Sequence, residues 1–218
     1  MLSVPTLPFS PKIAAVDALL RSTPLVWRGD SIAQVQSVAT SYAALDRLLP
    51  GRGWPVGALT EIAVEREGIG ELRLLVPALR HLAQAEGRPI VLVRPPYIPY
   101  APALARAGLP LARVIWIEAE RDEDAQWAAE QTLRDGIAGA VLLWSKARAD
   151  LPIRRLQLAA QDGNALAFLF RPARALHNPS PAAVRLLLRP AAEALRVDVL
   201  KARGGHGGSA LCPLRRAA

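Results

Sequence analysis

Cysteine is nearly absent from this chain of 218 residues: Cys212 stands alone, so no disulfide can form within it. Lysine is almost as scarce, with only Lys12, Lys146 and Lys201, so the positive charge is carried by arginine. The three histidines, His81, His177 and His206, have no metal-ligand spacing with one another or with Cys212, which argues against a structural zinc site. No apolar run reaches the length needed to cross a bilayer; stretches such as Ile137–Trp144 and Ala165–Phe170 suit buried strands. Met1–Leu7 lacks a basic start leading into an apolar stretch, so no secretion signal is expected. Together these features lead to the expectation of a cytoplasmic protein with no membrane partner. Ser145 follows an apolar strand pattern without the Gly-x-Ser-x-Gly elbow a hydrolase nucleophile uses. Internal repeats are absent.

What is present suits a folded globule. Hydrophobic residues make up 51% and charged ones 21%, a balance that can fill a core and that disordered chains lack. The net charge of +8 favours nucleic acid or an acidic partner through long-range attraction, although many arginines can simply solvate a surface.

Patterns of strand and helix alternate. After a helical pattern over Lys12–Arg21 and a looser stretch Ser22–Thr40, strands are expected at Leu59–Val64, Pro89–Val93, Val114–Ile117, Ala140–Trp144 and Leu166–Phe170. Helices are expected at Glu71–Gln84 (with Pro77 kinking it or shortening its start), Ala101–Ala107, Asp122–Arg134 and Ile153–Gln161. The acidic run Asp122-Glu123-Asp124 suits a helix start. Such alternation implies an α/β fold with a mostly parallel sheet flanked by helices. Val184–Arg189 and Leu195–Leu200, joined around Pro190–Glu193, read as a C-terminal antiparallel hairpin. The expected organisation is an N-terminal helix and linker (1–39), a core domain (40–203) and a flexible basic tail (204–218).

A strand running through a glycine turn into a helix is the arrangement in which free backbone N–H groups hold phosphate. Here the turn is Glu65-Arg66-Glu67-Gly68-Ile69-Gly70-Glu71-Leu72. In the P-loop frame Glu65 stands at the first glycine, Gly70 at the second, Glu71 at the lysine and Leu72 at the magnesium-binding hydroxyl. Glu71 would meet a phosphate as a like charge, costing roughly 4 kcal/mol at about 4 Å and an effective dielectric of about 20. No nucleotide cofactor is expected. A dinucleotide reading of Gly68-Ile69-Gly70 fails at the third glycine, where Arg73 stands, although Arg94 could in principle meet a 2′-phosphate.

Thr40–Asp46 followed by Gly53–Ile62 resembles the stretch entering the P-loop strand of RecA-type recombinases. Val26–Asp30, Pro50–Pro55, Pro95–Pro102 and Ala167–Pro172 resemble segments of ImuA, the accessory family of the bacterial SOS mutagenesis cassette, related to SulA. The likeness spans roughly residues 12–203. It implies a RecA-like fold in which the Walker B acid is replaced by Trp144, the catalytic glutamate falls near Pro95-Pro96 and the γ-phosphate sensor near Arg171-Pro172. The function it implies is that of a non-enzymatic accessory in SOS-induced translesion synthesis. Its implied partners are an ImuB-like inactive Y-family polymerase, an error-prone replicative-type polymerase and RecA, with weak non-specific DNA contact in addition. The alternatives are a SulA-like cell-division inhibitor and a residual RecA-like DNA-dependent ATPase.

In recombinases the loops after the fourth and fifth strands line the DNA channel, which singles out Arg154-Arg155 and then Arg171, Arg174, His177 and Arg185. Lys201, Arg203, Arg215 and Arg216 form a basic C-terminal segment able to meet phosphates or an acidic surface. Pro95-Pro96-Tyr97-Ile98-Pro99-Tyr100 reads as a lid packed over the vestigial site or as an interface anchor.

Overall fold

The computed structural model describes residues 35–146 and 150–214. The helix expected over Lys12–Arg21, the segment Val26–Asp30 and the arginines Arg215 and Arg216 lie outside the described residues. Among the described residues, a short ribbon pairs β1 (Ser37–Val38) with β2 (Trp54–Pro55), with helix α1 (Ala43–Asp46) between them. The main sheet contains β3 (Ala58–Val64), β4 (Ile90–Val93), β5 (Val114–Ile117), β6 (Ala140–Trp144), β7 (Leu166–Pro172), β8 (Val184–Ala191), β9 (Ala194–Ala202) and β10 (Gly208–Pro213). Its eight strands run in the order β10-β9-β8-β3-β7-β6-β4-β5. From β8 to β5 the neighbours are parallel, while β8-β9-β10 is an antiparallel meander.

Helices α2 (Glu71–Gln84), α3 (Ala101–Arg106), α4 (Asp122–Arg134) and α5 (Asp150–Asp162) cover the parallel part. A right-handed crossover must place helices on opposite faces when the chain reverses its direction across the sheet. The core divides accordingly. Leu74, Leu75, Leu79 and Leu82 of α2 pack with Leu45 on Ile62, Leu92, Leu142 and Phe168. On the other face Ala125, Ala129 and Leu133 of α4 and Ile153, Leu156 and Ala160 of α5 pack on Leu59, Val91, Val141 and Leu169. Strands buried on both faces have no polar side to show, which is why β4, β6 and most of β7 read as continuous apolar runs.

Several expectations are corrected. The segment 204–218, expected as a flexible tail, contains the edge strand β10, whose Ala210 and Cys212 point into the core. Gly-rich residues 203–207 form the turn that returns the chain, so the expected hairpin is a three-stranded meander. Its first link is tighter than read from sequence: Ala191 pairs with Ala194 across Ala192 and Glu193, and Pro190 lies within β8. Pro77 neither shortens nor ends α2, since it sits on the half-exposed side of a helix whose opposite side is anchored in the core.

Candidate functional site

The carboxyl ends of parallel strands are where open α/β sheets bind ligands, and the expected phosphate turn lies there after β3. Gly68 and Gly70 both have positive φ (79° and 102°), and their N–H groups turn toward one point. That point is filled by the chain itself. Glu71 Oε1 accepts the Gly68 N–H at 2.9 Å, and Glu71 Oε2 accepts the Gly70 N–H at 3.0 Å. The carboxylate is buried at the start of α2, where the helix dipole also favours negative charge. The position reads from sequence as a repulsive replacement for lysine; folded, it supplies the anion. The signal was available, since a glutamate opening a helix after a glycine turn can reach back to the turn's own donors. Glu65 pairs instead with Arg189 (3.2 Å), and Leu72 is half-buried on the outer side of α2.

At the end of β6 the buried Trp144 ring stacks on Phe170 of β7 with centroids 4.6 Å apart and planes 10° from parallel. The Walker B position of the RecA resemblance is therefore part of the core. Beside it Asp122, the first residue of α4, draws three segments together. Its carboxylate accepts from Ser145 Oγ (2.7 Å), Gln126 Nε2 (2.8 Å), Arg94 Nη1 (3.0 Å) and the Lys146 N–H (3.2 Å). This knot ties β4, β6 and α4, and it absorbs Arg94, whose φ of +52° is the left-handed region. Within it the Ser145 hydroxyl donates to Asp122 and accepts from Gln126 (3.2 Å), a use that fastens the end of β6 to α4.

A buried acid is the main feature that reading the sequence missed. Glu61 on β3 has no exposed surface, and it binds Arg171 of β7 (3.0 Å) and Arg185 of β8 (3.0 and 3.3 Å). The register explains the grouping: Glu61 lies opposite Arg185, and Arg171 stands on the same face two residues beyond its β7 neighbour Leu169. These two arginines, expected as DNA or partner contacts, are both held in ion pairs with Glu61. Arg174 is exposed and lines, with Lys146, Arg171, His177 and Asn178, a basic cavity of about 410 Å³ at the ends of β6 and β7.

The remaining candidates scatter. Arg155 pairs with the buried Glu130 (2.7 Å), and Arg154 is exposed. Lys201 donates to the Ser180 carbonyl (2.8 Å); burial first, and then the charges of Arg203 and Arg185, lower its pKa. Arg203 is exposed. The loop from Pro95 is not a lid: Tyr97, Ile98 and Tyr100 are 69%, 76% and 65% exposed. Among the described residues, no group of three His, Cys, Asp or Glu side chains is placed to hold a metal ion, and no helix is long and apolar enough to cross a membrane.

No family model matches the chain. It is 35% identical over 100 residues to the cell division inhibitor SulA of Photorhabdus laumondii, a match covering 46% of this chain. The chain spans 56% of the length of that curated relative. The crystal structure of SulA from Pseudomonas aeruginosa is similar over 52% of this chain and 97% of that one, at 28% identity and a TM-score of 0.44.

Proposed function

We propose that this chain is a non-enzymatic regulator in the bacterial response to DNA damage, related to SulA and acting through protein–protein contacts to restrain cell division. The observation that carries the reading is the 35% identity to the cell division inhibitor SulA over 100 residues. Supporting it is the turn after β3, where Glu71 occupies the amide donors that a phosphate would need. In this reading the fold is a RecA-like scaffold without nucleotide chemistry, and its surfaces perform the function.

The test is assembly of the polymerising, tubulin-like division GTPase, followed by light scattering and sedimentation. An equimolar amount of the chain is expected to suppress assembly at least fivefold. Unchanged assembly at a twofold excess of the chain overturns the division reading.

A second reading rests on a different observation, the ordered likeness of Pro50–Pro55, Pro95–Pro102 and Ala167–Pro172 to ImuA segments. It makes the chain a translesion-synthesis accessory that recruits an inactive Y-family polymerase, an error-prone replicative polymerase and RecA. The exposed loop Tyr97-Ile98-Pro99-Tyr100 supports this version, because rigid aromatic anchors favour interfaces. Pull-down from DNA-damaged cells separates the two: recovery of mutasome polymerases supports the accessory, and their absence rejects it.

A further inference from the structure

A groove on the opposite side of α2 from its buried stripe belongs to none of the sites above. It has a volume of about 1530 Å³, larger than the roughly 300–1,000 Å³ typical of small-ligand pockets. The outer side of α2 forms its floor with Leu72, Val76 and Pro77, all half-buried. Tyr42 and the start of α1 form one wall, and Leu104 of α3 the other. Ala43, Ala44, Ala103 and Ala107 line the groove between these side chains, and Leu211, Pro213 and Leu214 at the end of β10 add further apolar surface.

The rim carries charge of one sign. Arg73, Arg80 and Arg106 line the groove and are exposed, and none has an ion pair or side-chain hydrogen bond among the described residues. No carboxylate of the described residues lines it. Arg73 and Arg80 are seven residues apart on one helix, which places them on the same face about 10.5 Å apart along its axis.

We propose that this groove docks an acidic amphipathic helix from a partner protein. A floor and walls lined by aliphatic and aromatic side chains accept the leucine stripe of such a helix, and carboxylates flanking the stripe at i and i+7 would meet Arg73 and Arg80. A second copy of this chain would bring a net charge of +8 against a rim of the same sign. A nucleic-acid backbone would satisfy the arginines but gain nothing from the aliphatic floor. The groove has the same chemistry whether the partner belongs to the division or the mutagenesis machinery.

The test uses the full chain and three fluorescein-labelled 16-residue peptides, read by anisotropy. One carries a leucine stripe flanked by glutamates, one the same stripe flanked by lysines, and one the glutamates with serines replacing the leucines. The glutamate–leucine peptide is expected to bind at least tenfold tighter than either of the others. The triple reversal Arg73→Glu, Arg80→Glu, Arg106→Glu should weaken it at least tenfold and favour the lysine peptide. The reversal Arg66→Glu, Arg113→Glu, Arg154→Glu, with the same change in net charge on other exposed arginines, should alter affinity no more than twofold. Equal losses in the two triple variants, equal binding of the serine peptide, or failure of the glutamate–leucine peptide to bind overturns the proposal. Displacement of that peptide by an equimolar 16-nucleotide single strand also overturns it, in favour of nucleic acid.

Discussion

At the turn after β3 one carboxylate serves as acceptor for two backbone donors that would otherwise face water or a ligand. Hydrogen bonds to a charged group contribute about 1.5–3 kcal/mol, and a domain of this size changes its Tm by about 2–4 °C per kcal/mol. Glu71→Ala removes both bonds, about 3–6 kcal/mol together, and should lower the Tm by at least about 6 °C on those scales; a melting curve unchanged within 1 °C would mean the contact contributes nothing. Asp198 offers a pH test. Burial alone would raise its pKa, but hydrogen bonds from Ser209 and Arg196 and the charges of Arg196 and Arg189 hold it below the ordinary carboxylate value. A depressed folded pKa gives stability that is present above the unfolded value of about 3.9 and lost as pH falls through the folded one. Asp198→Asn should thus melt below the wild type at pH 7 and pH 5, with the gap closing below about pH 4. A gap as wide at pH 3 as at pH 7 would refute this. Cys212 is buried under the meander with its thiol pushed up to about 12, burial being the larger cause and Asp46 adding to it. Because the thiolate is the nucleophile, native protein should resist iodoacetamide at pH 8 and become labelled in denaturant; rapid labelling of the native state would show that β10 opens.

At the scale of elements, α4 and α5 pack side by side and their C-terminal ends meet at Gly163, where a Cβ would overlap the Leu133 carbonyl group. Backbone cannot yield as a side chain can, so Gly163→Ala should cost about 1–3 kcal/mol, the usual range for overpacking. Urea denaturation reads it as a lower midpoint with unchanged slope, and a midpoint equal to wild type would contradict the close approach. Elements of this kind were legible in sequence where periodicity was strong. Asp122–Arg134, Val114–Ile117 and Ala140–Trp144 have the bounds expected of them. β10 was not legible, because Gly208-Ser209-Ala210-Leu211-Cys212-Pro213 is short and weakly apolar, and it becomes a strand only because β9 offers a free edge. The Glu61 cluster was hidden for a similar reason. Residues 61, 171 and 185 are far apart along the chain, and only the parallel register of β3, β7 and β8 brings them together. The self-filled turn was half legible: sequence showed the wrong charge for a phosphate, and folding showed where that charge goes.

At the scale of the whole molecule, basic charge and exposed apolar side chains are spread over several surfaces. The groove along α2, the cavity between Lys146 and Arg174 and the loop from Tyr97 to Tyr100 all face outward. That distribution suits a scaffold that engages other proteins, provided the turn after β3 holds no nucleotide. Thermal denaturation of the full chain across a series of Mg-ATP concentrations reads that condition directly. A ligand at about a hundredfold excess over its Kd adds about 2.7 kcal/mol to the native state, which is roughly 5–10 °C for a chain of this length. The Tm should stay within 1 °C of its nucleotide-free value up to millimolar Mg-ATP, whereas a rise that grows with concentration would place a phosphate where Glu71 now sits.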